Sequence, residues 1–471
     1  MDSMDNLQKD IELLQDNLLT MQELWDLKEP DLNWRRNPAK YPFQLFKKFL
    51  RRIIRWILRP DYQMQIEFNG AAVRAVGDIS RIQNSILALV DGSMEQIQKD
   101  VLQESDLPRV IQIVSCLNFG DAVGNDVMAI KNALKAKGIV TEIYTSVIHK
   151  KIPEGMARNI RRLPELKEDD IVIYHFAAED PLAEMIKELK CKKVLRYHNV
   201  TPPEFFKDYD SSVEKNTSNG LKQVRELRDS IDYVMTVSEF NKHDLQNMGY
   251  CCPMFVVPIL IQFADYAQKP SEEIMNRYSD GIKNIVFVGR IAPNKKIEDV
   301  IEAFDYYNKN VDGNTRLIIV GSYDIRNKYY RYLQKRIKKL SANNVIFTGH
   351  IAFNEILGYY KVADAFLCMS EHEGFCVPLV EAMYFKVPIV AYSSTAIPDT
   401  LNGCGILLGD KRPENVAKGL EMVLKDANAS ERIIKGEEER LKDFDNEIVK
   451  KQMLKVLQMI SEGQDACADK E

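Results

Sequence analysis

The chain has 471 residues, of which 45% are hydrophobic and 28% charged, with a formal net charge of −5. That length exceeds one compact core, so two or three domains are expected, and the hydrophobic content excludes disorder over most of the chain. The mildly acidic balance argues against a nucleic-acid binder. Eight cysteines stand at 116, 191, 251, 252, 368, 376, 404 and 467. They form no C-x-x-C pair or Cys/His cluster, so neither a zinc site nor a disulfide framework is signalled and reduced thiols are expected. The polar opening MDSMDNLQKD is wrong for a secretory signal, and no apolar run is long enough for a transmembrane helix. A cytoplasmic protein, dissolved or attached to a surface, is the expectation.

The first 105 residues read as a helical extension. Met4, Leu7, Ile11, Leu14, Leu18, Met21 and Trp25 repeat at steps of three and four, an a/d heptad seam. A second seam runs through Phe68, Ala72, Ala75, Ile79, Ile82, Ile86 and Leu89. Both suit packing on the protein's own body and homo-oligomerisation equally. Between them, FQLFKKFLRRIIRWILRP (43–60) places Lys48, Arg51, Arg52, Arg55 and Arg59 on one helical face. Phe46, Phe49, Leu50, Ile53 and Ile57 fall on the other. Such a helix suits the interface of an anionic membrane, against the alternative of a solvated basic face over a buried apolar one.

From Pro108 the pattern becomes strand–helix alternation. RVIQIVSC (109–116) reads as a strand and 123–137 as a helix, with further strands near 140–145, 170–175, 193–198 and 232–237. The rhythm breaks over 258–281, which reads as a connection. It restarts with NIVFVG (284–289), RLIIVG (316–321), NVIFTG (344–349), AFLCM (365–369) and PIVAY (388–392). An α/β protein is predicted, with two Rossmann-like doubly wound domains, 106–262 and 263–445, facing a cleft. A final segment, 446–471, carries a helix that crosses back to the first domain. Ligands on such sheets sit at the carboxyl ends of the strands.

Two constellations carry chemistry. SEHEGFCVPLVEAM (370–383) is a strand, a turn and a helix opening at Val377–Pro378, with Glu373 and Glu381 eight residues apart. Free N–H groups and the positive helix end at such a turn suit phosphate or sugar oxygens. VGRIAPNKKIEDVIEAF (288–304) places Arg290 and Lys295 after a strand, where two cations suit a diphosphate. Taken singly, each pattern also fits ordinary surface charge and capping.

Together, these motifs resemble the retaining glycosyltransferases of family 4, which have the GT-B fold. The family's E-x7-E is matched by Glu373 and Glu381, and its G-R-x4-K by Gly289, Arg290 and Lys295, within a resemblance covering roughly 108–460. It implies that Arg290 and Lys295 hold the donor diphosphate, and Glu381 the ribose. Glu373 and the backbone at Gly374, Phe375 and Cys376 would hold the transferred sugar, with Gly349 and His350 against the base. Where the family usually has a small residue, often Gly, Cys376 stands, and an altered sugar fit is expected. GDAVGND (120–126) resembles the family's glycine loop near phosphate and acceptor through Gly120 and Gly124. His198 in RYHNVTPPEFF corresponds to the active-site histidine, His175 in IVIYHF is the runner-up, and Ser238 reads as a helix N-cap.

The resemblance implies metal-independent transfer of a hexose-type sugar from a UDP- or GDP-sugar to a glycan or glycolipid acceptor. It calls for no metal and no cofactor beyond the donor, in surface polysaccharide assembly at the inner face of the membrane. The acceptor-side domain would be 106–262 and the nucleotide-sugar domain 263–445. The rival expectations are a sugar-nucleotide isomerase or phosphorylase of the same fold, and a non-enzymatic membrane scaffold.

Overall fold

The computed structural model describes residues 107–463. The heptad seams, the basic segment 43–60 and Cys467 lie outside the described residues. Two parallel sheets make up the described chain. The first contains β1 (Val110–Leu117), β2 (Thr141–Ile148), β3 (Arg158–Asn159), β4 (Ile171–Phe176), β5 (Lys192–Tyr197), β6 (Tyr233–Thr236) and β7 (Met254–Val256). Its order is β3-β2-β1-β4-β5-β6-β7. The second contains β8 (Lys283–Val288), β9 (Thr315–Val320), β10 (Val345–Phe347), β11 (Ala365–Cys368), β12 (Ile389–Tyr392) and β13 (Ile406–Leu408), in the order β10-β9-β8-β11-β12-β13.

Helices cover both faces of each sheet, so central strands are buried on both sides and read as continuous apolar runs. Every residue of β4 (IVIYHF) and of β9 (TRLIIV) is buried. Each sheet reverses its winding once, between β1 and β4 and between β8 and β11. Crevices for ligands open at such switch points, outside the carboxyl ends of the strands.

The chain crosses between the sheets at 257–261. Val257 and Leu260 join the core under the first sheet, while Ile259 and Ile261 join that of the second. The Arg196 guanidinium fixes this crossing, donating to the Val257 carbonyl at 2.6 Å and the Pro258 carbonyl at 3.0 Å. The segment read as connection through 281 is shorter than expected, because Glu272–Tyr278 is a helix whose Ile274 and Tyr278 pack on Val286 and Ile318 of the second sheet. The last helix, Asn446–Ser461, returns to the first sheet. Val449, Met453, Leu457 and Ile460 enter the core formed by Ile130, Leu134, Ile171 and Val194. Sequence reading does not foresee strands β3, β7 and β13, each only two or three residues long.

Candidate active site

The second sheet supplies a turn after β11 and a helix at Val377–Tyr384, with Pro378 in its first turn, where the missing N–H costs no helical bond. Glu373 stands in this turn, buried, and both its carboxylate oxygens take the Lys295 ammonium, at 2.6 and 2.5 Å. Lys295 ends the short 3-10 turn Pro293–Lys295 that follows β8. Burial would lower the Lys295 ammonium, but the Glu373 carboxylate outweighs it and holds the group above its ordinary value. The neighbouring Asn294 braces the two loops: its Nδ2 donates to the His372 carbonyl at 3.0 Å, and its carbonyl accepts from the Glu371 N–H at 2.9 Å. Arg290 is exposed and has no side-chain hydrogen bond or ion pair among the described residues. It follows β8 directly, beside the switch point.

Cys376 caps the helix in the left-handed region, with φ at 72°. That conformation costs a non-glycine residue about 1–2 kcal/mol and explains why a glycine would sit comfortably there. The Cys368 thiol beside it, and burial, push the Cys376 thiol up. Glu381 lies on the next turns of the helix. Its two oxygens accept from Tyr266 Oη at 2.9 Å and Tyr360 Oη at 2.7 Å. Burial raises this carboxyl while the two hydroxyls pull the other way. Gly349 and His350 follow β10, where Gly349 bridges Gly321 after β9. His350 is exposed. Both therefore lie at the same edge of the sheet as Arg290, two strands away.

The first sheet meets this turn closely. A Cβ on Gly374 would stand 2.5 Å from the His198 carbonyl oxygen and 2.8 Å from the Asn199 Cβ, so only glycine fits. Ser238 Oγ donates to the Gly374 carbonyl at 2.8 Å, and His372 Nε2 bonds Asn199 Oδ1. Burial pushes His372 down to about 4, so it is neutral and donates from Nε2 to the amide oxygen. The Phe240 N–H donates to Asp399 Oδ2 at 2.7 Å. Ser238 is also the N-cap of the helix Glu239–Asn247, accepting from the Asn241 N–H. The Glu373 turn is thus clamped against the carboxyl ends of β5 and β6.

His198 follows β5 and His175 lies near the end of β4; His175 is buried, and His198 is partly exposed as a residue with its side chain only 3% exposed. His175 Nδ1 stands 3.0 Å from His198 Nε2, and His175 Nε2 stands 3.0 Å from Gln112 Oε1. Burial holds both imidazoles well below their ordinary range, and the nearby Arg196 guanidinium works in the same direction. Arg196 pairs with Asp126 at 3.0 Å on the helix Ala122–Ala136. That helix starts after Gly120, which is exposed, and is capped by Asp121, which accepts from the Gly124 N–H at 2.7 Å. Gly124 cannot be larger, since its Cβ would meet the Asn118 carbonyl at 2.1 Å. The loop holding Gly120 and Gly124 follows β1, beside the switch point of the first sheet. The structure does not bring these two glycines into contact with the Glu373 turn.

Two sets of metal-ligand type converge among the described residues: Asp126, His175 and His198, and Cys368, Glu373 and Cys376. In each, a cation of the chain already occupies the carboxylate, Arg196 in the first and Lys295 in the second. Sequence reading did not foresee the roles of Gln112, Arg196, Asn199, His372, Tyr266 and Tyr360. Gln112 and Arg196 had a signal, since each interrupts an apolar strand; the others sit in loops or on helices far in sequence from the groups they meet.

Comparisons with known proteins bear on the fold and on the second domain. A family described as glycosyl transferases group 1 matches residues 272–440. The GalNAc-alpha-(1->4)-GalNAc-alpha-(1->3)-diNAcBac-PP-undecaprenol alpha-1,4-N-acetyl-D-galactosaminyltransferase of Campylobacter jejuni is 29% identical over 193 residues, 40% of this chain and 51% of that protein. The alpha-monoglucosyldiacylglycerol synthase of Streptococcus pneumoniae is 26% identical over 220 residues, 44% of this chain and 48% of that protein. The chain spans about half the length of the curated relatives it matches. A sucrose-phosphate synthase from Thermosynechococcus elongatus superimposes with a TM-score of 0.60 at 15% identity, covering 76% of this chain and 100% of that one, which shows the shared fold. The group 1 match lies on the second α/β domain, and with a further parallel sheet before it the chain shares the two-domain fold of that sucrose-phosphate synthase.

Proposed function

We propose that the protein is a retaining glycosyltransferase that moves a hexose-type sugar from a UDP- or GDP-sugar to a glycan or glycolipid acceptor. The observation that carries this reading is the meeting, at the switch point of the second sheet, of Lys295 after β8 with Glu373 after β11, with Arg290 exposed at the end of the same strand. In the absence of donor, Lys295 and Glu373 neutralise each other. A diphosphate would compete for the ammonium, leaving Glu373 to meet sugar hydroxyls. Arg290, free and exposed, would close on the same diphosphate. The two cations would then stabilise the charge that develops as the glycosidic bond breaks, in place of a metal ion. Glu381, with lone pairs left on each oxygen, would take the ribose hydroxyls, and Gly349 and His350 would flank the base. The acceptor hydroxyl would attack on the leaving-group side, with a donor phosphate oxygen taking its proton.

The names of the Campylobacter and Streptococcus relatives concern a PP-undecaprenol-linked glycan and a diacylglycerol glycolipid, and support an acceptor of that class. Among the described residues no helix is long and apolar enough to cross a membrane. We place the contact with an anionic inner membrane face in segment 43–60, and deleting it should release the protein from anionic vesicles. The decisive experiment offers UDP-, GDP-, ADP- and dTDP-sugars in excess EDTA. Release of one nucleoside diphosphate with retention at the anomeric carbon is the expected outcome. Turnover that returns only on adding a divalent cation, or inverted product, would overturn the mechanism.

A further inference from the structure

Gln112 and His175 lie on the neighbouring strands β1 and β4, and His198 directly follows the next strand, β5, at the switch point of the first sheet. The chain of contacts between them assigns every proton. Gln112 presents its carboxamide oxygen to His175 Nε2 at 3.0 Å, which puts the His175 proton on Nε2, while the Gln112 amide nitrogen is itself buried without a partner among the described residues. A neutral ring then has a lone pair on Nδ1, and His198 Nε2, 3.0 Å away, must be the donor. Asp126 favours the same assignment: its Oδ2 is 3.9 Å from His198 Nε2, where a proton is attracted and a lone pair repelled. The groups facing the two rings are Asp126 from the helix Ala122–Ala136, Arg196 from β5 and Gln112 from β1. Burial and the Arg196 charge keep both rings neutral. The outcome is that His198 Nδ1 holds a buried lone pair with no partner among the described residues. Such an orphaned acceptor calls for a donor from outside the chain. His198 is also the residue whose carbonyl abuts Gly374, in the turn that carries Glu373.

We propose that Gln112 and His175 are positioning residues that lock His198 in its Nε2-protonated tautomer, so that Nδ1 is a fixed acceptor for a hydroxyl of the bound sugar. This rests on the glycosyltransferase reading above. It excludes a cation between the rings, since both facing nitrogens are committed to one hydrogen bond.

The lock is tested in the ligand-free full chain by ¹⁵N-histidine NMR, with the rings assigned through single His→Asn variants. Both His175 and His198 should be neutral with the proton on Nε2 from about pH 8 to about pH 5.5, well into the range where an ordinary imidazole charges. Gln112→Glu is the informative variant. A carboxylate there raises His175, which on protonation must donate from Nδ1 as well, so His198 Nε2 becomes the acceptor and its proton moves to Nδ1. In that variant kcat/KM should fall about tenfold or more below the pH at which His175 protonates, and recover above it. Binding of UDP or GDP, which lack the sugar, should stay unchanged throughout. A His198 proton on Nδ1 in the parent protein would overturn the proposal. So would a Gln112→Glu pH profile parallel to the parent's, or loss of the ring pattern on adding EDTA, which would mean a bound metal. If no sugar nucleotide turns over at all, the transferase reading falls, and the ligand-free spectrum still decides the lock.

Discussion

Lys295 and Glu373 are 78 positions apart in sequence, and no local rule pairs them. Their contact changes what a substitution at Lys295 does. Lys295→Ala should lower turnover about a hundredfold or more, as removal of a charge-stabilising group does. It should also lower the melting temperature, because the buried Glu373 carboxylate loses its counter-charge, at a cost of about 3 kcal/mol. Adding Glu373→Gln should restore the melting temperature while turnover stays low, which differential scanning and a donor-hydrolysis assay would separate. Unchanged stability in Lys295→Ala would contradict the pairing. Glu437 gives a second test at this scale. It is fully buried under β12, accepting from the Ile389 N–H at 2.9 Å, and burial lifts its carboxyl to about 8. Unfolding returns the group to the ordinary carboxyl range, so between there and about pH 8 the folded state holds a proton that the unfolded chain releases. Its contribution to stability is complete at acid pH and is lost as pH rises through the folded value. Glu437→Gln cannot ionise, so its melting temperature should gain on the parent's progressively up to about pH 8 and then level off. A margin independent of pH would refute this.

Among the elements, the turn between β11 and the helix Val377–Tyr384 matters most, because it touches both domains. Gly374→Ala puts a methyl group 2.5 Å from the His198 carbonyl, and backbone cannot yield as a flexible side chain does. The Ser238 bond to Gly374 and the His372 bond to Asn199 must then stretch. We expect turnover to fall at least tenfold while UDP or GDP binding, which the proposed function assigns to the second sheet, changes little. Equal losses in both would show that the clamp has no separate role. Gly124→Ala is the contrasting case: its Cβ would collide with the Asn118 carbonyl inside the first domain, so global stability should drop by about 2 kcal/mol or more, read as a lower denaturation midpoint.

For the molecule as a whole, the last helix is a strap. Val449, Met453, Leu457 and Ile460 are essentially fully buried against the first sheet, although they follow the second in sequence. Lys192 Nζ donates to the Ser461 carbonyl at 2.6 Å, and Gln452 Nε2 to the Val256 carbonyl at 2.7 Å. Burying one large apolar side chain contributes about 1.5–3 kcal/mol, so four of them rival the net stability of a domain. Truncation after Phe444 should therefore give an aggregating or unfolded first domain, measured by solubility and tryptophan-independent far-UV circular dichroism. A soluble, fully folded truncation would show that the strap is dispensable.

The sequence by itself determined the alternation of strands and helices, because buried parallel strands are apolar throughout and the helices between them are amphipathic. It also marked Glu373, Glu381, Arg290 and Lys295, since strand-end turns leave spacing and residue type as visible signals. Tertiary structure alone decided which of these meet: Lys295 with Glu373, Glu381 with Tyr266 and Tyr360, His198 with His175 and Gln112. It likewise decided that Glu272–Tyr278 belongs to the second domain and that the chain crosses at 257–261. The reason is physical. Periodicity is a local property, whereas a buried charge or ring nitrogen is satisfied by whichever group the packing of two sheets brings within about 3 Å, however far away in sequence.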